Sequence, residues 1–114
     1  MNDAARAWEV SPVEAQRLLR EHYEACVLLD CRTPEEHATA RIEGNILIPM
    51  QEIGGRLEEL REHEDKTIIV YCHHGVRSLK VTSLLRQHGF GSAVSMAGGI
   101  DRWSVEVDPG VPRY

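Results

Sequence analysis

The amino-acid sequence predicts a small three-layer α/β domain, in which helices cover both faces of a central parallel sheet of four or five strands. The first observation is that several short runs, of which Thr67–Tyr71 is the clearest, are apolar throughout, as in strands buried on both faces. The second is that amphipathic stretches with helical spacing separate these runs. The third is the length of 114 residues, which fits one domain. We therefore expect residues 1–114 to form a single domain, with a flexible segment at 1–6 and an extended tail at 104–114.

The first predicted elements are a capped helix and two strands. Ser11 is a good N-cap, Pro12 suits the first helical position, and Glu14 completes a capping box. The apolar runs at Cys26–Asp30 and 46–48 then predict two strands. The positions of the first helix that share its inward face are Ala15, Leu18, Leu19 and His22.

The second half of the chain predicts two more helices around two more strands. A long helix should carry Ile53, Leu57 and Leu60 on its buried face. Thr67–Tyr71 follows as a strand rich in β-branched residues. The remaining predictions are a helix at 78–88, ended by Gly89, and a short strand at 92–95.

The ligand site of such a sheet is expected beyond the carboxyl ends of its strands. Three segments follow predicted strands and should meet there: residues 30–32, 72–78 and 97–99. We therefore look for chemistry in these segments.

Composition excludes several classes of protein. The chain has 13 Lys and Arg against 18 Asp and Glu, a net charge of -5, and no basic run, so we expect no nucleic-acid partner and no anionic membrane partner. No apolar run approaches the ~20 residues of a membrane span, and the start of the chain lacks the apolar stretch of a signal peptide. Three cysteines without disulfide-like spacing fit a reducing, cytoplasmic environment.

The segment 72–78 combines features that activate a thiol. Cys72 follows the best strand and precedes a helix, whose N-terminal amides and dipole favour an anion. Gly75 eases a tight curl of amides around the sulfur, and Arg77 adds a permanent charge and a planar fork of donors. Such surroundings lower a cysteine pKa by ~1–5 units. We predict that Cys72 and Arg77 are catalytic and that the other loop residues bind substrate: His73, His74, Gly75, Val76 and Ser78.

Four motifs in order resemble the rhodanese family of sulfurtransferases and rhodanese-like modules. Residues 28–37 resemble an acidic-x-Arg strand end followed by a Glu-aromatic pair, and residues 42–49 resemble the second family signature. Residues 72–78 match the six-residue active-site loop, and residues 98–103 match a closing Gly-Gly-x-x-x-Trp. The departures from the family pattern lie around a turn and a strand and leave the loop intact: His37, Arg41, Asn45 and Leu47.

The resemblance implies a rhodanese-like fold and transfer of a sulfane sulfur through a persulfide on Cys72. The donor would be a small anion such as thiosulfate or a persulfide, and the acceptor a thiol or cyanide, without a cofactor. Arg77 would bind the oxyanion of the donor. Residues 105–114 resemble the ends of rhodanese modules fused behind adenylating enzymes, which makes a sulfur-carrier protein a partner to test.

Other functions stay open. A phosphatase or arsenate reductase resembles Cys-x5-Arg, but four residues separate Cys72 from Arg77, and the loop holds no Asp or Glu as a general acid. A module that binds a partner or senses sulfur species without catalysis is the other alternative. We expect no metal, because Cys72, His73 and His74 are consecutive on a tight loop and cannot readily point at one ion.

Residues 30–32 carry three further side chains with alternative roles. Cys31 is either a strand-end residue without chemistry or a resolving thiol for Cys72. Asp30 and Arg32 form either a surface ion pair or support for the active-site region, as the resemblance implies for the arginine.

Overall fold

Five parallel strands form the sheet in the computed structural model, which describes residues 7–114. The strands are β1 (Glu9–Val10), β2 (Cys26–Asp30), β3 (Asn45–Leu47), β4 (Thr67–Tyr71) and β5 (Val94–Met96). Their spatial order is β1-β5-β4-β2-β3. The predicted parallel α/β architecture is therefore confirmed, whereas the segment 1–6, predicted to be flexible, lies outside the described residues.

Helices pack on both faces of this sheet, as predicted. The alternation of β2 side chains divides the core, because Val27, Leu29 and Cys31 enter one apolar cluster while Leu28 enters the other. The α-helices are α1 (Pro12–Glu21), α2 (Pro34–Thr39), α3 (Val76–Gln87) and α4 (Gly99–Glu106). Short 3-10 segments span Tyr23–Ala25, Met50–Gly55 and Leu57–His63. None of the helices in this part of the chain is long and apolar enough to cross a membrane.

The start of α1 differs in one detail from the prediction. Ser11 caps the helix, since its Oγ accepts the amide of Glu14 at 3.1 Å. The Glu14 carboxylate accepts from Arg17 instead of the cap amide. The reciprocal capping box is found at α2, between Thr33 and Glu36.

The long helix predicted around residues 53–60 is wrong. Two 3-10 segments replace it, with Arg56 between them in a non-helical conformation. The pair Gly54 and Gly55 explains the break, because glycine in a helix interior loses more conformational entropy than other residues. Ile53 and Leu60 are still buried, so the apolar pattern identified the inward positions but not the period of the helix.

Smaller corrections concern element boundaries. His22 ends α1 and is exposed rather than inward-facing. The last strand begins two residues later than predicted, at Val94, and α3 begins two residues earlier, at Val76. Residues 104–106 belong to α4, so the tail predicted from residue 104 begins at 107.

The three segments predicted to form the ligand site meet at the carboxyl edge. The Cys31 amide donates to the Tyr71 carbonyl at 3.1 Å, which joins segment 30–32 to the end of β4. The Ile100 amide donates to the Cys72 carbonyl at 2.9 Å, which joins the start of α4 to the loop after β4.

Candidate active site

The Cys72 sulfur lies in front of the N-terminus of α3. It accepts the amide of Gly75 at 3.1 Å and the amide of Ser78 at 3.3 Å, while the Ser78 hydroxyl lies 3.4 Å away. These amides belong to the N-cap and the first turn, where helix geometry leaves N–H groups without intrahelical partners. The side chain is 1% exposed, so protein dipoles replace water around the sulfur.

This environment favours the thiolate. The neighbouring Cys31 thiol makes the largest contribution, burial opposes it, and the hydroxyl and amide of Ser78 and the amide of Gly75 add to it. Together they lower the pKa of Cys72 to about 5. Cys72 therefore carries a negative charge at neutral pH, which is the reactive state of a cysteine nucleophile.

A buried serine pair orients the hydroxyl beside the sulfur. Ser78 Oγ lies 2.7 Å from Ser95 Oγ, and both residues are fully buried. The Ser78 hydroxyl also lies 3.2 Å from the Gly75 carbonyl oxygen, so with Ser95 as the donor in the serine pair its proton has two acceptors, that oxygen and Cys72 Sγ. Ser95 reaches this position because it follows Val94 on β5, next to β4.

The N-terminus of α4 holds the loop from the other side. The amides of Ile100 and Asp101 donate to the carbonyls of Cys72 and His73 at 2.9 and 3.2 Å. Because a trans peptide directs its C=O and N–H in opposite directions, these bonds turn the following loop amides away from α4. Gly99 permits the approach, since a Cβ there would lie 2.4 Å from both loop carbonyl oxygens.

Arg77 contacts a carboxylate, whereas the sequence predicted a fork of donors for an oxyanion. Its two terminal nitrogens donate to the Glu36 oxygens at 2.7 and 2.9 Å, which is bidentate geometry. This pair, opposed by burial and assisted by Tyr114 and the Thr33 amide, lowers the pKa of Glu36 to about 2. Arg77 therefore ties α3 to α2.

Asp30 and Arg32 form a fully buried pair, so the interpretation as a surface ion pair is wrong. Arg32 donates to both Asp30 oxygens, at 2.9 and 2.8 Å, and to the Ala40 carbonyl at 2.6 Å. The Tyr71 hydroxyl donates to Asp30 at 3.1 Å. The pair thus fastens the ends of two neighbouring strands to the segment after α2.

The tail returns to the loop through Tyr114. Its hydroxyl donates to Glu36 at 2.6 Å and accepts from Arg32 at 2.8 Å. Its ring stacks on His73, with centroids 3.9 Å apart. His73 in turn stacks on exposed His74, so the two imidazoles lie against each other and the tail rather than around Cys72.

The remaining loop residues have separate positions. Val76 is 67% exposed at the start of α3, on the outer side of the loop. Gly75 has a left-handed φ of +100° and packs against Gly98, where a Cβ would lie 3.0 Å from the amide nitrogen. Of the residues predicted to bind substrate, Gly75 and Ser78 contact the sulfur directly.

Sequence reasoning assigned no site role to Glu36, Ser95 or Tyr114. Glu36 stood within a recognised motif, so its acidic position was the available signal. Ser95 and Tyr114 reach the site through contacts with residues 17 and 78 positions away, and no local pattern marks them.

Comparison with known proteins agrees with this geometry. The profile of the rhodanese-like domain family matches residues 11–106. A sulfurtransferase of Allochromatium vinosum is 35% identical over 81 residues, which are 71% of this chain and 74% of that protein. The human single-domain sulfurtransferase TSTD1 superposes with a TM-score of 0.76 at 28% identity, covering 87% of this chain and 96% of that one.

A longer relative contains a similar segment. The probable adenylyltransferase/sulfurtransferase MoeZ of Mycobacterium tuberculosis is 32% identical over 116 residues, which are 99% of this chain but 29% of that protein. The match therefore concerns less than a third of MoeZ. Because the family profile covers the chain from the start of α1 to the end of α4, including four of the five strands and the loop, this chain belongs to the rhodanese family.

Proposed function

We propose that the protein transfers a sulfane sulfur from thiosulfate or a persulfide donor to a thiol or cyanide, through a persulfide on Cys72. The observation that carries this proposal is the buried Cys72 thiolate, held by the Gly75 and Ser78 amides at the N-terminus of α3. It fits the names of the relatives, which are sulfurtransferases.

In the first half-reaction, the Cys72 thiolate attacks the outer sulfur of thiosulfate. A bond forms between Cys72 Sγ and that sulfur, the sulfur–sulfur bond of thiosulfate breaks, and sulfite leaves with the electron pair. The total charge is unchanged, because the persulfide retains the negative charge of the thiolate. Since Cys72 is 1% exposed, a donor with a slim sulfane end is favoured.

In the second half-reaction, the acceptor attacks the terminal sulfur of the persulfide. The new bond joins acceptor and sulfur, and the Cys72 thiolate leaves with the electron pair, which the same amides stabilise. Cyanide gives thiocyanate, and a thiolate gives a new persulfide. Neither half-reaction needs a proton at Cys72 or a cofactor.

Arg77 has a structural role in this proposal. Its guanidinium is paired with Glu36, so an anionic donor meets a neutralised pair rather than a free fork. Arg77 therefore ties α3 to α2 beside the loop, and direct contact between Arg77 and the donor requires that the donor replaces Glu36 as its partner.

A phosphatase mechanism is less well supported. It needs a protonated acid to give a proton to the leaving oxygen. Glu36 and Asp101 contact the loop residues Arg77 and His74. The pKa of Glu36 is lowered to about 2 and that of Asp101 lies below its usual range, in each case chiefly through hydrogen bonds from an arginine. Both carboxylates are therefore ionised at neutral pH.

The cellular acceptor proposed here is the C-terminus of a sulfur-carrier protein. Its support is the match to MoeZ, whose name combines adenylyltransferase and sulfurtransferase activities. A reducing cytoplasm is the proposed setting, because all three cysteines are free thiols in this structure.

Intact-protein mass spectrometry tests the reaction. Wild type and Cys72→Ser are incubated with thiosulfate and then with cyanide. We expect a gain of one sulfur in wild type, its loss with cyanide, release of thiocyanate, and no gain in Cys72→Ser. Cys26→Ser is the matched control, since Cys26 lies at the opposite end of β2, and it should load as wild type does. Loading of Cys72→Ser at the wild-type rate contradicts the assignment, and no loading of wild type with any persulfide donor favours a binding module.

A further inference from the structure

Cys31 lies beside Cys72 because of the register between two strands. The strands β2 and β4 pair in parallel from Cys26 with Thr67 to Asp30 with Tyr71. Cys31 and Cys72 directly follow the paired residues of β2 and β4, and continuing the register places them side by side. Both side chains belong to the same apolar cluster, so they lie on the same face of the sheet.

The Cys31 thiol keeps its proton. It is 1% exposed. A hydrogen bond with Cys72, burial and the negative charges of Cys72 and Asp30 all raise its pKa above the usual range, and the positive charge of Arg77 on α3 only partly opposes them. These groups approach from its own strand, from the end of β4 and from α3. A protonated thiol is a hydrogen-bond donor and a poor nucleophile.

The Cys31 thiol has two neighbouring acceptors. Its Sγ donates to the Tyr71 carbonyl oxygen at 3.4 Å, and the continued register places the Cys72 side chain next to it on the same face of the sheet. An S–H group rotates about the Cβ–Sγ bond, so the proton can change partners without movement of heavy atoms. A charged acceptor forms the stronger bond.

We propose that Cys31 is a positioning residue, whose thiol donates a hydrogen bond to the Cys72 thiolate and turns to the Tyr71 carbonyl when the charge leaves Cys72 Sγ. In a persulfide the charge lies mainly on the terminal sulfur, so loading would release the Cys31 proton to the carbonyl. When transfer of the sulfur regenerates the Cys72 thiolate, the Cys31 thiol would again donate its hydrogen bond to Cys72. This inference deepens the proposed function, but the state of the Cys72 thiol can be measured without any sulfur transfer.

Cys31 as an attacking thiol is the contrasting role. Its proton would pass to the terminal sulfur of the persulfide, and its thiolate would attack Cys72 Sγ, form a Cys31–Cys72 disulfide and release hydrosulfide with the electron pair of the broken sulfur–sulfur bond. That step requires loss of the proton that the surroundings of Cys31 retain.

The test is the pH profile of alkylation at Cys72. Iodoacetamide labelling of the full chain is followed between pH 4 and 9 by mass spectrometry of the peptide containing Cys72. Loss of a hydrogen bond to the thiolate in Cys31→Ala should raise the midpoint by about one pH unit. Cys31→Ser replaces S–H with O–H and should keep the midpoint of wild type. Cys26→Ala, the same change at the far end of β2, should leave it unchanged.

The outcomes separate the roles. A midpoint in Cys31→Ala equal to that of wild type, or an equal rise in Cys31→Ser, overturns the proposal. A Cys31–Cys72 disulfide formed with hydrosulfide release after persulfide loading also overturns it, because Cys31 would then be the attacking group. If Cys31→Ala does not fold, Cys31→Val also lacks a donor and is compared with Cys31→Ser. Absence of sulfur loading with the expected midpoints would contradict the proposed function and the turn of the Cys31 thiol, and would leave its hydrogen bond to the Cys72 thiolate standing.

Discussion

Replacing Gly99 with alanine tests whether the contact between α4 and the loop shapes the site. Gly99 has φ of +61°, and a Cβ there would lie 2.4 Å from the carbonyl oxygens of Cys72 and His73. These are backbone atoms and cannot move alone. The added methyl group must therefore push the loop and α4 apart, at the two hydrogen bonds from Ile100 and Asp101.

The expected loss of stability in Gly99→Ala has two parts. Left-handed backbone at a non-glycine residue costs about 1–2 kcal/mol, and overpacking a rigid contact costs about 1–3 kcal/mol. We therefore expect Gly99→Ala to lower the free energy of unfolding by about 2–5 kcal/mol. Displacing the loop amides by about 1 Å should slow sulfur loading roughly 100-fold.

Two other glycines separate these effects. Gly44 has φ of +82° with open space around its Cβ position, so Gly44→Ala carries the conformational cost alone and should load sulfur normally. Gly54 has open space and no positive φ, so Gly54→Ala should change stability by less than about 0.5 kcal/mol. Urea unfolding measures the free energy of unfolding, and quenched mass spectrometry measures the rate of sulfur loading. Gly99→Ala with the stability of Gly44→Ala and a wild-type loading rate would refute the reasoning.

Two further predictions concern charge. The rate of sulfur loading in wild type should be nearly constant from pH 6 to 8 and fall about tenfold per pH unit below pH 5, because the pKa of Cys72 is about 5 and the protonated thiol is not nucleophilic. Quenched mass spectrometry measures this rate. A midpoint of the pH profile near the ordinary pKa of a thiol would contradict the thiolate assignment. A double-mutant cycle of Arg77→Met and Glu36→Gln, measured by urea unfolding, should give a coupling free energy of about 1–2 kcal/mol. The pair is bidentate, but the side chains of Arg77 and Glu36 are 31% and 19% exposed to solvent. Additive effects of the two substitutions would show that the pair does not hold α2 to α3.

The segment that could be predicted from the sequence is the one built from local interactions. β4, the loop and α3 follow directly from an apolar β-branched run, a glycine and a helical pattern, each of which acts over a few residues. The N-terminal amides of α3 face Cys72 because only residues 72–75 connect β4 to this helix. The low pKa of Cys72 was predicted for this reason, and it is found together with the Gly75 and Ser78 amides.

What could not be predicted depends on tertiary structure. Glu9–Val10 is too short for any periodic pattern, and it becomes a strand because Trp8 and Val10 carbonyls accept amides beside β5. Arg77 seemed free for a ligand because Glu36, its partner, is 41 positions away. The charges of Asp30 and Arg32, two residues apart in the sequence, fit a surface ion pair. Their burial is not visible in the sequence, because the groups that cover them, such as Tyr114 in the tail and Ala40 after α2, come from distant parts of the chain.

The Cys72 charge is stabilised mainly by neutral dipoles. The Cys31 thiol makes the largest contribution to the low pKa of Cys72, and two amides and the hydroxyl of Ser78 add to it, whereas the nearby Arg77 charge is balanced by Glu36. Because these dipoles are fixed parts of the protein, no counterion has to leave the site when the negative charge moves to a departing or terminal sulfur. The dipoles also need little reorganisation during transfer. A free guanidinium would bind an anionic donor more strongly but would also hold sulfite or a loaded anion after reaction. The pairing of Arg77 with Glu36 therefore fits the proposed reaction, in which a negative charge would pass between successive sulfur atoms twice in each cycle without being retained.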